Sequence, residues 1–349
     1  MTDDSILVAG ETIVDMQPID ATSDRSDDGG ENSEARRRDD AGGEDVTRYE
    51  RRLGGAPTNV AVGLARLGSP PALWTRVGDD PLGAFLRARL REEGVSETHV
   101  ECDPDAPTGL SVVSRDGTGD RSFTLYLDGV ASTRLDPGRL DDATLAGVEW
   151  LHVGGVELAH RPARSAVFDL LERVPATTIV SFDPNYRASL WSTFDYAETI
   201  RRVLPLVDVL VASPADLTPA GYDGEPTELA VQLLRDGPHT VAENPHTVFL
   251  TRGADGALAR ADDRAPWGGG TAEHDGFDAA VVDTTGAGDA FTAGVIRELG
   301  PAGPLTTDGG GPLDRAVRVG DAVAAASVTG RGATTALPDR ARIERLLDE

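Results

Sequence analysis

The residues best suited to chemistry lie at Asp283–Phe291, which read DTTGAGDAF. They follow an apolar run, Phe277–Val282 (FDAAVV), that reads as a strand. They lead into AFTAGVIREL, where Phe291, Val295 and Leu299 fall on one face of a helix. Gly286, Ala287 and Gly288 therefore occupy a strand-to-helix turn. Small residues there let a phosphate reach the backbone, with free N–H groups and the positive end of the helix dipole facing it. Asp289 falls in the first turn. A carboxylate repels phosphate, so it makes a poor ligand for one, but it can take the proton of an attacking hydroxyl. The plainer alternative is a packing turn followed by an ordinary helix-start acid.

A second string, LGGAPTNVAVGLARLG (Leu53–Gly68), supplies a partner. Gly54 and Gly55 permit close contact between backbone and a small polar ligand. Pro57 suits a first helical position. Val60, Leu64 and Leu67 make a helical stripe, which leaves Asn59 at the helix start to aim its amide at a ligand or to cap the helix. In this order, and far apart in the chain, the two strings resemble the two signatures of the ribokinase or PfkB family of sugar kinases. The resemblance implies that Asp289 is the catalytic base and that Gly286–Gly288 form the anion hole for the transferring phosphoryl group.

Other segments gain meaning beside that resemblance. Asp15, in GETIVD after the first strand, is similar to the family's Asp that accepts hydrogen bonds from sugar hydroxyls. In SFDPNYRASLW (Ser181–Trp191), a strand stops at Asp183-Pro184, so Asn185 and Arg187 lie at the sheet's carboxyl edge. An amide and a guanidinium there suit phosphate or sugar oxygens, or else form an Asx turn and a solvated Arg. The string resembles the D-x-N-x-R element of fructokinases and 2-keto-3-deoxysugar kinases, with Pro184 and Leu190-Trp191 leaning towards fructokinase. VASPADL (Val211–Leu217) stands where the family has N-x-x-E. Ser213 and Asp216 replace its two polar residues, so Asp216 would meet Mg²⁺ through water, or the pair would cap a helix. In TRGADGAL, Thr251, Gly253 and Gly256 match the nucleotide-binding turn, and Arg252 would touch phosphate or ribose; a simple hairpin is the alternative. VTGRGATTALP resembles the segment beside adenine, and Asp283, Thr285 and Gly332 would help bind K⁺.

These residues need a scaffold. From Trp150 on, strand patterns (Trp150–Val153, Thr178–Phe182, Val207–Val211, Thr247–Leu250) alternate with helical ones, ending in Leu313–Thr329 and Arg340–Leu347. Earlier strands are expected at Ile6–Ala9 and Ala72–Val77, and a hairpin at Leu110–Leu127 around Asp116-Gly117. Alternation implies an α/β fold with a mostly parallel sheet and helices on both faces. The resemblance makes it ribokinase-like, one domain over 1–349, with a small β-sheet lid from segments near 12–52 and 97–127. Ala265–Gly276 and Gly300–Pro312 read as surface loops. Residues 20–50 hold eleven acids and five Arg, and 20–45 read as a disordered acidic insertion.

Composition narrows the function. At 349 residues and 39% hydrophobic, the chain can bury a sizeable core. Its single Cys, Cys102, excludes an internal disulfide, and six scattered His show no metal spacing. The acidic start and the absence of a spanning apolar run indicate a cytoplasmic protein without membrane contact. The net charge is −26 and all 33 basic residues are Arg. That pattern suits a surface adapted to high salt, as in an extreme halophile, and disfavours nucleic acid. Without Lys, no P-loop can form.

The expected activity is ATP- and Mg²⁺-dependent phosphorylation of a sugar, most like fructokinase, with K⁺ and a lid-mediated homodimer as further expectations. The rivals are a 2-keto-3-deoxygluconate kinase, whose carboxylate Arg115, Arg121 and Tyr126 could meet, a ribokinase or nucleoside kinase, and a catalytically inactive sugar sensor. A nicotinamide dehydrogenase is disfavoured because no G-x-G-x-x-G follows the first strand.

Overall fold

Strands such as ILVA (β1, Ile6–Ala9) and VLVA (β10, Val209–Ala212) are apolar at every position, the pattern of strands covered on both faces. The computed structural model places them so, and it describes residues 5–19, 48–115, 121–235, 245–308 and 310–348. The acidic segment 20–45 and the hairpin tip at 116–120 lie outside the described residues.

Nine strands form the main sheet. Within it β1 lies between β4 (Ala72–Gly78) and β8 (Trp150–Gly154). Beyond β8 come β9 (Ile179–Asp183), β10, β11 (Thr247–Thr251), β12 (Ala257–Ala261) and β13 (Gly270–His274); beyond β4 comes β5 (Val100–Asp103). All pairings are parallel except β11–β12 and β12–β13. Alternate side chains feed two cores: Ile6 and Val8 pack with the helices Ala56–Arg66, Ala287–Leu299 and Pro312–Ser327, whereas Leu7 and Ala9 pack with Ala163–Arg173.

A separate sheet holds β3 (Tyr49–Gly54), β2 (Ile13–Pro18), β6 (Leu110–Arg115) and β7 (Arg121–Tyr126), in that order. Ile13 and Leu127 from this sheet side share a third apolar cluster with Val130, Val156, Ala159 and Leu190.

Three expectations change. Val100–Asp103, expected in the lid, is the edge strand of the main sheet. Part of the expected loop Ala265–Gly276 is strand β13, paired to β12 through Ala259 and Ala272, which are both buried. Phe277–Val282, expected as a strand, has no regular structure. Val281 and Val282 stand 63% and 49% exposed, so an apolar run here does not mark a core strand.

Candidate active site

The turn expected to hold phosphate opens the helix Ala287–Leu299. Gly286 is its N-cap, with φ 78° and ψ 7°, a left-handed conformation that favours glycine. A side chain there would also run into Ala333, whose Cβ would lie 2.7 Å away. Gly288 differs: a Cβ on it would meet nothing within 4 Å. Its missing side chain leaves open space beside first-turn N–H groups that have no intrahelical acceptor.

Asp289 is the third residue of this helix and only 6% exposed. Burial pushes its carboxyl up to about 6, partly offset by a hydrogen bond from Asn59 and by the charge of Arg187. Asn59 Nδ2 donates to Asp289 Oδ2 at 2.7 Å. That contact has a packing cause. A Cβ on Gly63 would lie 2.7 Å from Ala293 Cβ, so the helices Ala56–Arg66 and Ala287–Leu299 touch closely there. Asn59 and Asp289 each sit one turn before that contact, on the same faces. The amide expected to face a ligand is thus also the group that orients the acid.

The helix carrying Asn59 starts at Gly55, with φ 104° and no side-chain cap of its own. Glu11 serves instead, its Oε1 accepting the N–H of Ala56 at 2.8 Å. Asp15, on β2, is 7% exposed. Burial pushes it up to about 7; the charges of Asp289 and Glu11 add to the rise, while a hydrogen bond to Ser111 and the charge of Arg52 oppose it. Gly54 makes room for it, because a Cβ there would lie 2.5 Å from the Asp15 carboxyl carbon.

These groups line one cleft of about 670 Å³. One end holds Glu11, Asp15, Gly55, Asn59 and Asp289, with Phe123 and Leu125 of β7. The other holds residues just past the carboxyl ends of β9, β10 and β11: Asn185, Arg187, Asp216, Thr251 and Gly253. Open α/β sheets bind ligands at such an edge. The turn Gly286–Asp289 lines the cleft as well.

Several expected residues have further work. Asn185 adopts φ 42°, and its N–H donates to Asp183 Oδ1 at 2.9 Å, an Asx turn that sets the loop carrying Arg187. Asp216 Oδ2 accepts from Ser213 N at 3.0 Å and Oγ at 2.6 Å, and Oδ1 from Tyr186 N at 2.9 Å. It therefore caps its helix while facing the cleft. Asp283 accepts from Thr285 N and Oγ1 at 3.0 and 2.7 Å and from Gly332 N at 2.7 Å, which joins the segments expected around K⁺.

Two nucleotide-site expectations fail. The Arg252 guanidinium turns to Glu273 and to the His274 carbonyl, and it does not line the cleft. Gly256 serves the hairpin, where a Cβ would lie 2.1 Å from the His274 carbonyl oxygen. Tyr126, offered to a keto-acid, is 56% exposed and outside the cleft. Glu11, Asp183 and Ser111 were not singled out. Glu11 was visible between Gly10 and Asp15, but nothing in sequence marks it as a helix cap.

Residues 6–340 match the pfkB family carbohydrate kinases. The chain belongs to that family. It is therefore a carbohydrate kinase, a phosphotransferase with an alcohol acceptor. The kinase is 35% identical over 297 residues to the fructokinase of Klebsiella pneumoniae, covering 84% of this chain and 91% of that one. Identity to the fructokinase of Escherichia coli is 33% over 293 residues, with 83% and 90% covered. Among solved structures, the fructokinase of Vibrio cholerae O395, bound to fructose, ADP and calcium, superposes with a TM-score of 0.76 at 29% identity, covering 98% of each chain. Among the described residues no helix is long and apolar enough to cross a membrane.

Proposed function

We propose that the kinase transfers the γ-phosphoryl group of ATP to a primary hydroxyl of fructose. The observation that carries this reading is Asp289: buried, raised to about 6, fixed by Asn59, and in the first turn of a helix whose N-terminus opens into the cleft. A carboxyl of that kind is ionised at neutral pH yet basic enough to take a proton in the transition state.

The sugar would lie among Asp15, Gly54-Gly55, Asn59 and Arg187 under β7. ATP would lie along Asn185, Thr251 and Gly253, with its γ-phosphate at Gly286–Gly288. Asp289 takes the hydroxyl proton as the sugar oxygen bonds to phosphorus and the bond to the β-phosphate oxygen breaks, releasing ADP. The backbone N–H groups of the turn stabilise the charge on the transferring group. Apolar Phe123 and Leu125 help exclude water and so protect ATP from hydrolysis.

Mg²⁺ fits the cleft. It keeps waters and the substrate's phosphates as ligands and asks the protein for one or two carboxylates. Asp216, with Asp183 beside it, would supply them through water, and a bound ion would offset phosphate charge. K⁺ at Asp283, Thr285 and Gly332, a lid-mediated dimer and adaptation to high salt complete the reading.

The test is sugar-dependent ADP release in molar KCl with Mg²⁺, using fructose, 2-keto-3-deoxygluconate, ribose, glucose and adenosine. Fructose preference supports the substrate; preference for another sugar reassigns the lid. Asp289→Asn should fold normally and lose at least about 10²-fold in kcat. Near-native turnover in that variant removes the base.

A further inference from the structure

At the sugar end of the cleft, Glu11 and, behind it, Glu157 are two acids that the transfer does not use directly. Glu11 is 4% exposed and Glu157 1% exposed. Glu157 belongs to a short turn of helix, Val156–Ala159, that follows β8. The two carboxyls lie within reach of each other, and each shifts the other's titration. Neither Glu11 Oε2 nor Glu157 Oε2 has a donor among the other described residues. Two carboxyl oxygens can share a hydrogen bond only if one of them carries a proton.

The packing around them is tight. A Cβ on Gly10 would lie 3.2 Å from Glu157 Oε2 and 2.3 Å from the Pro57 ring, and one on Gly154 would lie 2.9 Å from that ring. Glycine at both positions, one at the end of β1 and one at the end of β8, lets Pro57 and the acid pair approach the sheet. Glu11 then spends its other oxygen, Oε1, on the N–H of Ala56. Its backbone carbonyl accepts from Thr58 Oγ1 at 2.9 Å. Both contacts fix the first turn of the helix whose next residue, Asn59, holds Asp289.

We propose that Glu157 is a positioning residue for phosphoryl transfer. It carries the proton of the Glu11–Glu157 pair, donates it to Glu11 Oε2, and so keeps Glu11 as the anionic cap of the helix that aims Asn59 at Asp289. The arrangement rests on the reading of Asp289 as the base. The assignment of the proton follows from surroundings. Burial pushes Glu11 up to about 7, with the charge of Asp289 adding to the rise. Burial and the charge of Glu11 push Glu157 well above the usual carboxylate range. Besides each other, the charged groups acting on the pair are Asp289 and Asp15, both acids. Beside such acids, two negative charges on the buried pair are strongly disfavoured.

Infrared spectra and steady-state kinetics of the full chain test this. At pH 8, the wild-type minus Glu157→Gln difference spectrum should contain a protonated-carboxyl C=O band. Glu157→Gln, whose amide can still donate to Glu11, should keep kcat within about threefold. Glu157→Leu, of similar size but without a donor, should lower kcat about tenfold at unchanged KM for ATP. No protonated-carboxyl band in the difference spectrum overturns the proposal, as does an equal loss of kcat in folded Gln and Leu variants. Asp289→Asn separates the two readings. If it stays active, the base assignment falls, while the infrared result still decides where the proton of the pair resides.

Discussion

Asn59 and Asp289 are 230 residues apart in sequence and 2.7 Å apart in space, amide to carboxylate. The relationship is more than proximity. An N–H aimed at the ionised form lowers the pKa of an acid that burial raises, so Asn59 tunes Asp289 as well as orienting it. Removing it should therefore shift activity in a defined direction. In Asn59→Ala the Asp289 pKa rises above about 6. The acid limb of the kcat/KM profile moves to higher pH, and kcat at neutral pH falls about tenfold. A pH–rate profile against wild type checks this; an unmoved acid limb would separate the two residues functionally.

Gly63 offers the same test without touching a polar group. Its absent side chain lets the helices approach at Ala293. Gly63→Val should push them apart and lengthen the Asn59–Asp289 contact. A loss of about 10²-fold in kcat is expected, because misplacement of roughly 1 Å costs that much. Thermal melting shows whether the variant is folded, and kinetics then reads the register.

Asp15 should behave as a functional acid held at the expense of stability. Its folded pKa, about 7, lies above its ordinary value of 3.8. The folded state therefore binds the proton more tightly, so stability is fullest below the ordinary value and declines as pH rises to about 7. Asp15→Asn should melt several degrees above wild type at pH 8, with the gap closing towards pH 4, and should lose sugar binding. Calorimetry at the two pH values checks the sign; a lower melting temperature at pH 8 would contradict it.

Arg52 ties the small sheet to the C-terminal part of the fold. From β3 it donates to the Arg331 carbonyl and to Thr335 Oγ1, the latter at 2.8 Å. Gly332, between them, donates to Asp283, just before the turn Gly286–Asp289. Arg52→Ala should raise KM for the sugar several-fold and increase sugar-independent ATP hydrolysis, both read in a coupled ADP assay. Unchanged values would leave this link a purely structural one.

Charge gives a prediction on conditions. With a net charge of −26, self-repulsion opposes the compact state. At about 1 M salt the Debye length falls to roughly 3 Å, which removes most of that repulsion. The melting temperature should rise steadily as KCl goes from dilute to molar, and a flat response would argue against a high-salt surface.

Sequence alone carried the family and the alternation of strands and helices. Alternating strand and helix patterns imply a parallel sheet because local hydrophobic periodicity reports burial directly. DTTGAGDAF put Asp289 in the first turn of a helix behind a glycine cap, because a cap glycine and a first-turn acid are local features. The expected strand Phe277–Val282 failed for a complementary reason: an apolar run says that a segment could be buried, not that a neighbour exists to cover it. Arg252 failed likewise, since a guanidinium takes the carboxylate that the fold presents, here Glu273. Only the tertiary structure decided that Gly63 sets the register of two helices, that Asn59 grips Asp289, and that Glu11 caps one helix while lying beside Glu157. Each depends on contact between elements distant in sequence, and such contacts are fixed by packing, which no local pattern encodes.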